Sequence, residues 1–203
     1  MVKRRMPLRS DSRLSDKDRC TLLALARQAI SAAVLNLELP DLPRASGRLA
    51  EPGAAFVSVR WHGKLRGCVG RTASELSLAE TVVQCAISAV LQDPRFRPIR
   101  REELAKLQIE ISVLSEVLPL SPGEIQVGVH GILIVRDGNR GLLLPQVAVE
   151  RNWSVERFLQ EACRKAGLAL DAWRAPETKL FAFTADVFSE ATVIAQPEQP
   201  IRL

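Results

Sequence analysis

The 203-residue chain has no tyrosine, only six phenylalanines and three tryptophans, and only two histidines. So few rings leave no obvious stacking platform for single-stranded nucleic acid. Two histidines and four scattered cysteines (Cys20, Cys68, Cys85, Cys163), with no Cys-x-x-Cys pair, argue against a structural zinc site. The sequence therefore calls for no metal and no cofactor. No apolar run reaches the roughly 18 residues that a bilayer-spanning helix needs. The first ten residues are basic but lack an apolar stretch and a small-residue cleavage site, so they do not form a secretory signal. The cysteines then read as reduced thiols, and the expected compartment is the cytoplasm. Repeats and low-complexity linkers are absent too, so nothing cuts the chain into independent domains.

The net charge of +5 is unevenly placed. Residues 1–13 hold five of the 28 basic residues (Lys3, Arg4, Arg5, Arg9, Arg13) and one of the 23 acidic ones, Asp11. The remainder is nearly neutral. A solubilising, flexible tail is expected there, able to attract phosphates only weakly and without sequence preference. No specific nucleic-acid binding is expected.

What the chain does have is a set of well-punctuated elements. Ser15 followed by Asp18 opens a helix carrying Leu22, Leu23, Leu25, Ala26, Ala29, Ile30, Ala33 and Val34, which Pro40 and Pro43 should end. An alternating run over 55–60 turns at Trp61-His62-Gly63 into Leu65-Arg66-Gly67-Cys68-Val69-Gly70. Ser77 and Glu80 make a capping box ahead of a second helix, which Asp93-Pro94 stops. Residues 100–104 should form a short helical turn, and Ile109, Ile111 and Val113 alternate as a half-buried strand. A second hairpin joins 131–136 to 141–144 through Asp137-Gly138-Asn139-Arg140. A third long helix starts at Ser154 and ends at Gly167. Phe181, Phe183, Ala185 and Val187 read as one last strand. Hairpins and helices without a β-α-β rhythm imply an α+β fold with mostly antiparallel pairing.

Cys68 is the leading candidate for chemistry. Gly67 and Gly70 flank it, and glycines within a strand mark a bulge or a close approach. Arg66 and Arg71 stand near enough to stabilise a thiolate, unless a bulge at Gly67 turns Arg66 away. The competing reading is a small residue packed under a bulge. Cys85 and Cys163 fall on apolar helix stripes and read as core.

In Asp93-Pro94-Arg95-Phe96-Arg97-Pro98, Phe96 would anchor a loop that can present Arg95 or Arg97 to an anion or to Glu110. The alternative, preferred for Arg97, is that Asp93 and Pro94 only end the helix and the arginines are solvated. Glu110 and Ser112 lie on the polar face of their strand, which must be solvated, paired or turned to a cleft. His130, at the mouth of the second hairpin, would complete a thiol–imidazole pair if it met Cys68. A hydrogen-bonded turn residue is the plainer alternative. Gln146, Glu150 and Trp153 either wall a pocket or tie the hairpin to the third helix.

Leu65–Gly70, Asp93–Phe96, Ile109-Glu110-Ile111-Ser112-Val113-Leu114, Val129-His130-Gly131 and Leu144-Pro145-Gln146-Val147-Ala148 occur in this order. Together they resemble the AMMECR domain family, whose bacterial and archaeal members are called AmmeMemoRadiSam system protein A. Val69 stands where the family commonly has Ile. The resemblance covers roughly residues 14–190, leaving the tail and a C-terminal extension over 191–203. It implies two unequal α+β lobes in one folding unit, with the Cys68 motif near a cleft between them. It also implies a Memo-type protein and a radical SAM enzyme as partners, but no assigned activity. Two functions stay open. One is an enzyme using Cys68, His130 and Glu110, with Arg66, Gly67, Gly70, Arg95, Phe96, Ser112 and Gln146 binding a small, anionic or nucleotide-like substrate. The other is a non-catalytic adaptor or substrate-binding module.

Overall fold

Ser15 caps the first helix, α1 (Asp16–Leu35): its side chain accepts the N–H of Asp18, and Asp18 returns a bond to the Ser15 backbone. The helix ends earlier than the prolines require, because Asn36 adopts a left-handed conformation (φ 53°) and its N–H caps Ala32. The computed structural model describes residues 14–42 and 46–194. The basic tail expected over 1–13 lies outside the described residues, as does 195–203 of the expected C-terminal extension. No helix among the described residues is long and apolar enough to cross a membrane.

Strands β1 (Ala55–Trp61) and β2 (Lys64–Arg71) form the first hairpin. Its turn is two residues, not three: His62 and Gly63 both have positive φ (49° and 76°), and Trp61 still belongs to the strand. That is the backbone twist two-residue hairpins favour. Helix α2 (Leu78–Leu91) starts at the Ser77–Glu80 capping box and packs on α1, β1 and β2. A 3-10 turn over Arg101–Lys106 then leads into β3 (Leu107–Leu114). Ala55, Val57, Val59, Ile109, Ile111 and Val113 are all buried in the core built with the helices. Phe56, Ser58, Glu110 and Ser112, one residue out of step, take the other face of the sheet.

The second compact unit, residues 114–185, has its own core. Its sheet is built from β4 (Leu118–Pro119), β5 (Gly131–Arg136), β6 (Asn139–Leu143) and, after two helices, β7 (Lys179–Phe183). The strand order is β4-β7-β5-β6. The β5–β6 turn is again two residues, Asp137 and Gly138, both at positive φ, so Asn139 and Arg140 pair within β6. Residues 145–150 form a short helix, α3 (Pro145–Glu150), opened by Pro145 in its first turn. Helix α4 (Val155–Lys165) is capped by Ser154. It closes in a Schellman motif, with Leu168 N–H on Cys163 O and Gly167 N–H on Arg164 O, each at 3.0 Å.

The run expected as one last strand is two. The chain leaves the second sheet at Phe183 and re-enters the first as β8 (Ala185–Ser189), so that sheet reads β2-β1-β3-β8. The burial phase shifts with it: Phe183 and Phe188 are buried while Val187 is exposed. A final helix, α5 (Glu190–Ile194), follows. Glu190 receives the Arg27 guanidinium and the N–H of Ile109, pinning the returning chain to α1 and β3. Among the described residues, the first unit thus comprises 14–42, 46–113 and 186–194. The fold is α+β, with antiparallel pairing throughout both hairpins and between β1 and β3, β4 and β7, and β5 and β7.

Candidate functional site

Cys68 and Ser58 are cross-strand partners on the face of the first sheet turned away from the helices, and Glu110 lies opposite Ser58 on the next strand. A thiol, a hydroxyl and a carboxylate therefore form one row across β2, β1 and β3. The Ser58 hydroxyl donates to Cys68 Sγ at 3.2 Å. The next row is Gly70, Phe56 and Ser112. Cys68 and Glu110 are half-buried, whereas Ser58 and Ser112 are buried.

β2 is an edge strand, and the segment after α2 closes that edge at Cys68. Asp93 Oδ2 accepts the Cys68 backbone N–H at 2.9 Å. Arg95 Nη2 donates to the Cys68 carbonyl at 3.1 Å and also to Asp93 Oδ2 at 2.7 Å. Arg95 Nε and its backbone N–H hold Asp93 Oδ1. An ion pair thus occupies the hydrogen-bonding groups that a further strand would have taken. Since both backbone groups of Cys68 point outward, Cys68–Ser58 is a non-hydrogen-bonded pair, the kind in which side chains approach most closely. The Asp93 carboxyl is buried, yet the bonds from Arg95, with help from the Cys68 N–H, overcome the burial penalty and bring it down to about 2. Arg95 also stacks over Phe96, 5.3 Å from the ring centre. Its carboxylate partner is Asp93, next to it in the loop, in place of the Glu110 considered from the sequence.

Arg66 is placed elsewhere. The pairing slips between Val59–Gly67 and Arg60–Leu65, which leaves Arg66 as the extra residue of a β-bulge. Its guanidinium grips Glu103 through Nε and Nη2, at 2.9 and 3.2 Å, and also binds the carbonyls of Arg97 and Pro98. Burial pushes the Glu103 carboxyl up, but the bonds from Arg66 and the Arg100 N–H outweigh it and leave the group below its usual range. Arg66 therefore fastens the 97–103 segment to β2, and these bonds engage four of its five N–H donors. Arg71 likewise donates to Gln84.

The two glycines have packing duties. A Cβ on Gly67 would lie 2.0 Å from the Ala89 carbonyl oxygen, so only glycine lets α2 approach this strand. A Cβ on Gly70 would lie 2.2 Å from the ring of Phe56, its cross-strand partner, which covers it. The second unit repeats both devices: Gly141 faces the Ala162 carbonyl of α4 at 2.1 Å, and the Phe183 ring covers Gly131.

His130 and Gln146 belong to the second unit. His130 is buried, its Nδ1 accepts the Gln126 N–H at 3.1 Å, and burial lowers its pKa. That bond fixes the neutral ring with its proton on Nε2. Gln146 lies in the first turn of α3. Cys85 and Cys163 are buried in the two cores, and burial pushes the Cys85 thiol up to about 11. Sequence reasoning missed Asp93, Ser58 and Glu103 as contributors here. Asp93 was accounted for as a helix stop, although an aspartate two residues before an arginine is also a local ion-pair signal.

Three comparisons agree on the relatives of this chain. The AMMECR1 family profile matches residues 23–188. A protein of Methanothermobacter thermautotrophicus is 40% identical over 188 residues, spanning 87% of this chain and 96% of its own. Protein TK0174 of Thermococcus kodakarensis is 39% identical over 193 residues, spanning 89% and 92%. The crystal structure of the uncharacterised protein PH0010 from Pyrococcus horikoshii superposes with a TM-score of 0.80 at 35% identity, covering 85% of this chain and 91% of that one. With its cysteine row and capped strand edge lying inside the matched residues, the chain belongs to the AMMECR1 family.

Proposed function

We propose that Cys68 is the working side chain of a site on the first unit that takes a small, anionic or nucleotide-like molecule. The observation that carries this reading is the division of labour at Cys68. The Asp93–Arg95 clamp is hydrogen-bonded to the backbone N–H and C=O of Cys68, which any residue would supply, while the Arg95 guanidinium also lies within electrostatic reach of the thiol. The thiol is not needed for that closure, yet it is half-buried and hydrogen-bonded to a serine hydroxyl. Arg95, with its side chain 56% exposed, supplies positive charge beside it. Glu110, in the same row, is the candidate acid or base, and Ser112 flanks it. The molecule would be handled in the cytoplasm with a Memo-type protein and a radical SAM enzyme.

A second reading, a substrate-binding or adaptor module of that system, also has an observation in its favour. Sγ accepts a hydrogen bond from the Ser58 hydroxyl, and a hydroxyl is not a base that could take the thiol proton as the enzyme reading requires. The test is capture of small molecules from native lysate on wild type and on Cys68→Ala, read by mass spectrometry. The variant should melt within about 1 kcal/mol of wild type and lose the retained molecule. Equal retention by both, with the variant several kcal/mol less stable, would make the thiol structural. Turnover of the retained molecule separates the enzyme from the adaptor.

A further inference from the structure

The second unit has a pocket of about 360 Å³ between α3, α4 and the end of β6. Its floor is apolar, formed by Leu143, Val147 and the half-buried Trp153. Its rim is cationic, formed by Arg151, Arg164 and Lys165. The volume is within the roughly 300–1,000 Å³ of small-molecule sites. The one acidic residue in the lining, Glu161, is buried and already neutralised: Arg157 lies 2.6 Å from its Oε1, and Arg164 pairs with its Oε2. Glu161 therefore holds no charge in reserve for Arg151.

Arg151 has no carboxylate partner among the described residues and lies over the Trp153 ring, 5.4 Å from its centre. That cation–π contact uses none of the guanidinium N–H donors, so they are left for a bidentate acceptor. The end of α4 would ordinarily repel an anion through its orphan carbonyls. Here those of Cys163 and Arg164 are paired by Leu168 and Gly167, which weakens that opposition.

We propose that this pocket binds a small organic anion made of an apolar ring and a phosphate or carboxylate group, independently of Cys68. The ring lies against Leu143, Val147 and Trp153, and the anionic group meets Arg151, with Arg164 and Lys165 adding field. Neither half of such a ligand satisfies the pocket alone. An inorganic anion leaves the floor wet, and a neutral ring leaves Arg151 without an anionic partner.

The experiment titrates the full chain with 1-naphthyl phosphate and follows the Trp153 indole N–H by NMR, assigned with Trp153→Phe. Inorganic phosphate and 1-naphthol are the two half-ligands, and Arg140→Gln removes an equal charge from the same unit outside the pocket lining. The expected result is a saturable shift of Trp153, with each half-ligand binding at least about tenfold more weakly. Arg151→Gln should weaken the whole probe by about tenfold, and Arg140→Gln should leave it unchanged. A Trp153 resonance that does not move, an unaffected Arg151→Gln, or equal weakening by Arg140→Gln would each overturn the proposal. Because Cys68 takes no part in this readout, failure here leaves the thiol reading standing, and the reverse holds too.

Discussion

Asp93 Oδ2 sits 2.9 Å from the backbone nitrogen of Cys68, so a carboxylate from the loop after α2 completes the hydrogen bonding of the β2 edge. The same oxygen holds Arg95 Nη2, which reaches the Cys68 carbonyl. One ion pair, its carboxylate buried and its guanidinium exposed, thereby fixes both the position of the strand and the presentation of its thiol. Removing Arg95 leaves the Cys68 carbonyl to water and a buried carboxylate unmatched, and removing Asp93 leaves the Cys68 N–H without its acceptor.

The first prediction follows from that carboxyl. Its pKa is about 2 when folded, against an ordinary 3.8, so the unfolded chain binds more protons in between. The stabilisation is complete above the unfolded value and is lost as pH falls from about 4 toward 2. At 1.36 kcal/mol per pH unit its size is about 2 kcal/mol. Denaturant unfolding of wild type and Asp93→Asn across this range should show wild type losing about 2 kcal/mol more than the variant. Glu103, also lowered, contributes equally to both proteins and cancels in the difference. Parallel pH curves would show that Asp93 is not the anion holding this edge.

The second concerns the helix–strand contacts at Gly67 and Gly141. A methyl group at either position meets a backbone carbonyl of α2 or α4 at 2.0 or 2.1 Å, and neither helix can retreat without opening its core. Gly67→Ala and Gly141→Ala should each cost at least about 2–3 kcal/mol, or abolish soluble expression. Gly123→Ala, where a Cβ meets nothing within 4 Å, is the matched control. Thermal melts placing all three variants together would mean that the helices do not pack this closely.

These contacts also mark the limit of what could be read from residue patterns. Capping boxes at Ser15 and Ser77, the glycine stop at Gly167 and the alternation of 107–114 are local, so each was legible without knowledge of neighbours. The strand over 181–187 was misread because the alternation of Phe181, Phe183, Ala185 and Val187 continues through Thr184, while the chain passes there from one sheet to the other. Helix α3 was missed because six residues are too few to establish a period. At the candidate site, Cys68 stood out by its composition and neighbours. Its actual contacts, Ser58 and Asp93, are 10 and 25 residues distant, and pairing at that range depends on register rather than on spacing. Arg66, two residues away, was the obvious partner and is the one the bulge removes.

The last prediction ranks the four thiols. Cys20 is exposed, Cys68 half-buried, and Cys85 and Cys163 buried. Burial raises the pKa of both buried thiols, that of Cys85 to about 11. At neutral pH about one Cys85 in ten thousand is then ionised, and access is closed as well. Iodoacetamide labelling with peptide mapping should therefore modify Cys20 and Cys68 well before Cys85 and Cys163. Ser58→Ala removes the hydroxyl that donates to Sγ, so it should change the Cys68 rate and leave Cys20 as an internal reference. A thiol that waits for global unfolding would instead label Cys68 together with Cys85, at a rate that rises with denaturant. That outcome would make Cys68 a packing residue, and the row it shares with Ser58 and Glu110 would have no chemical role.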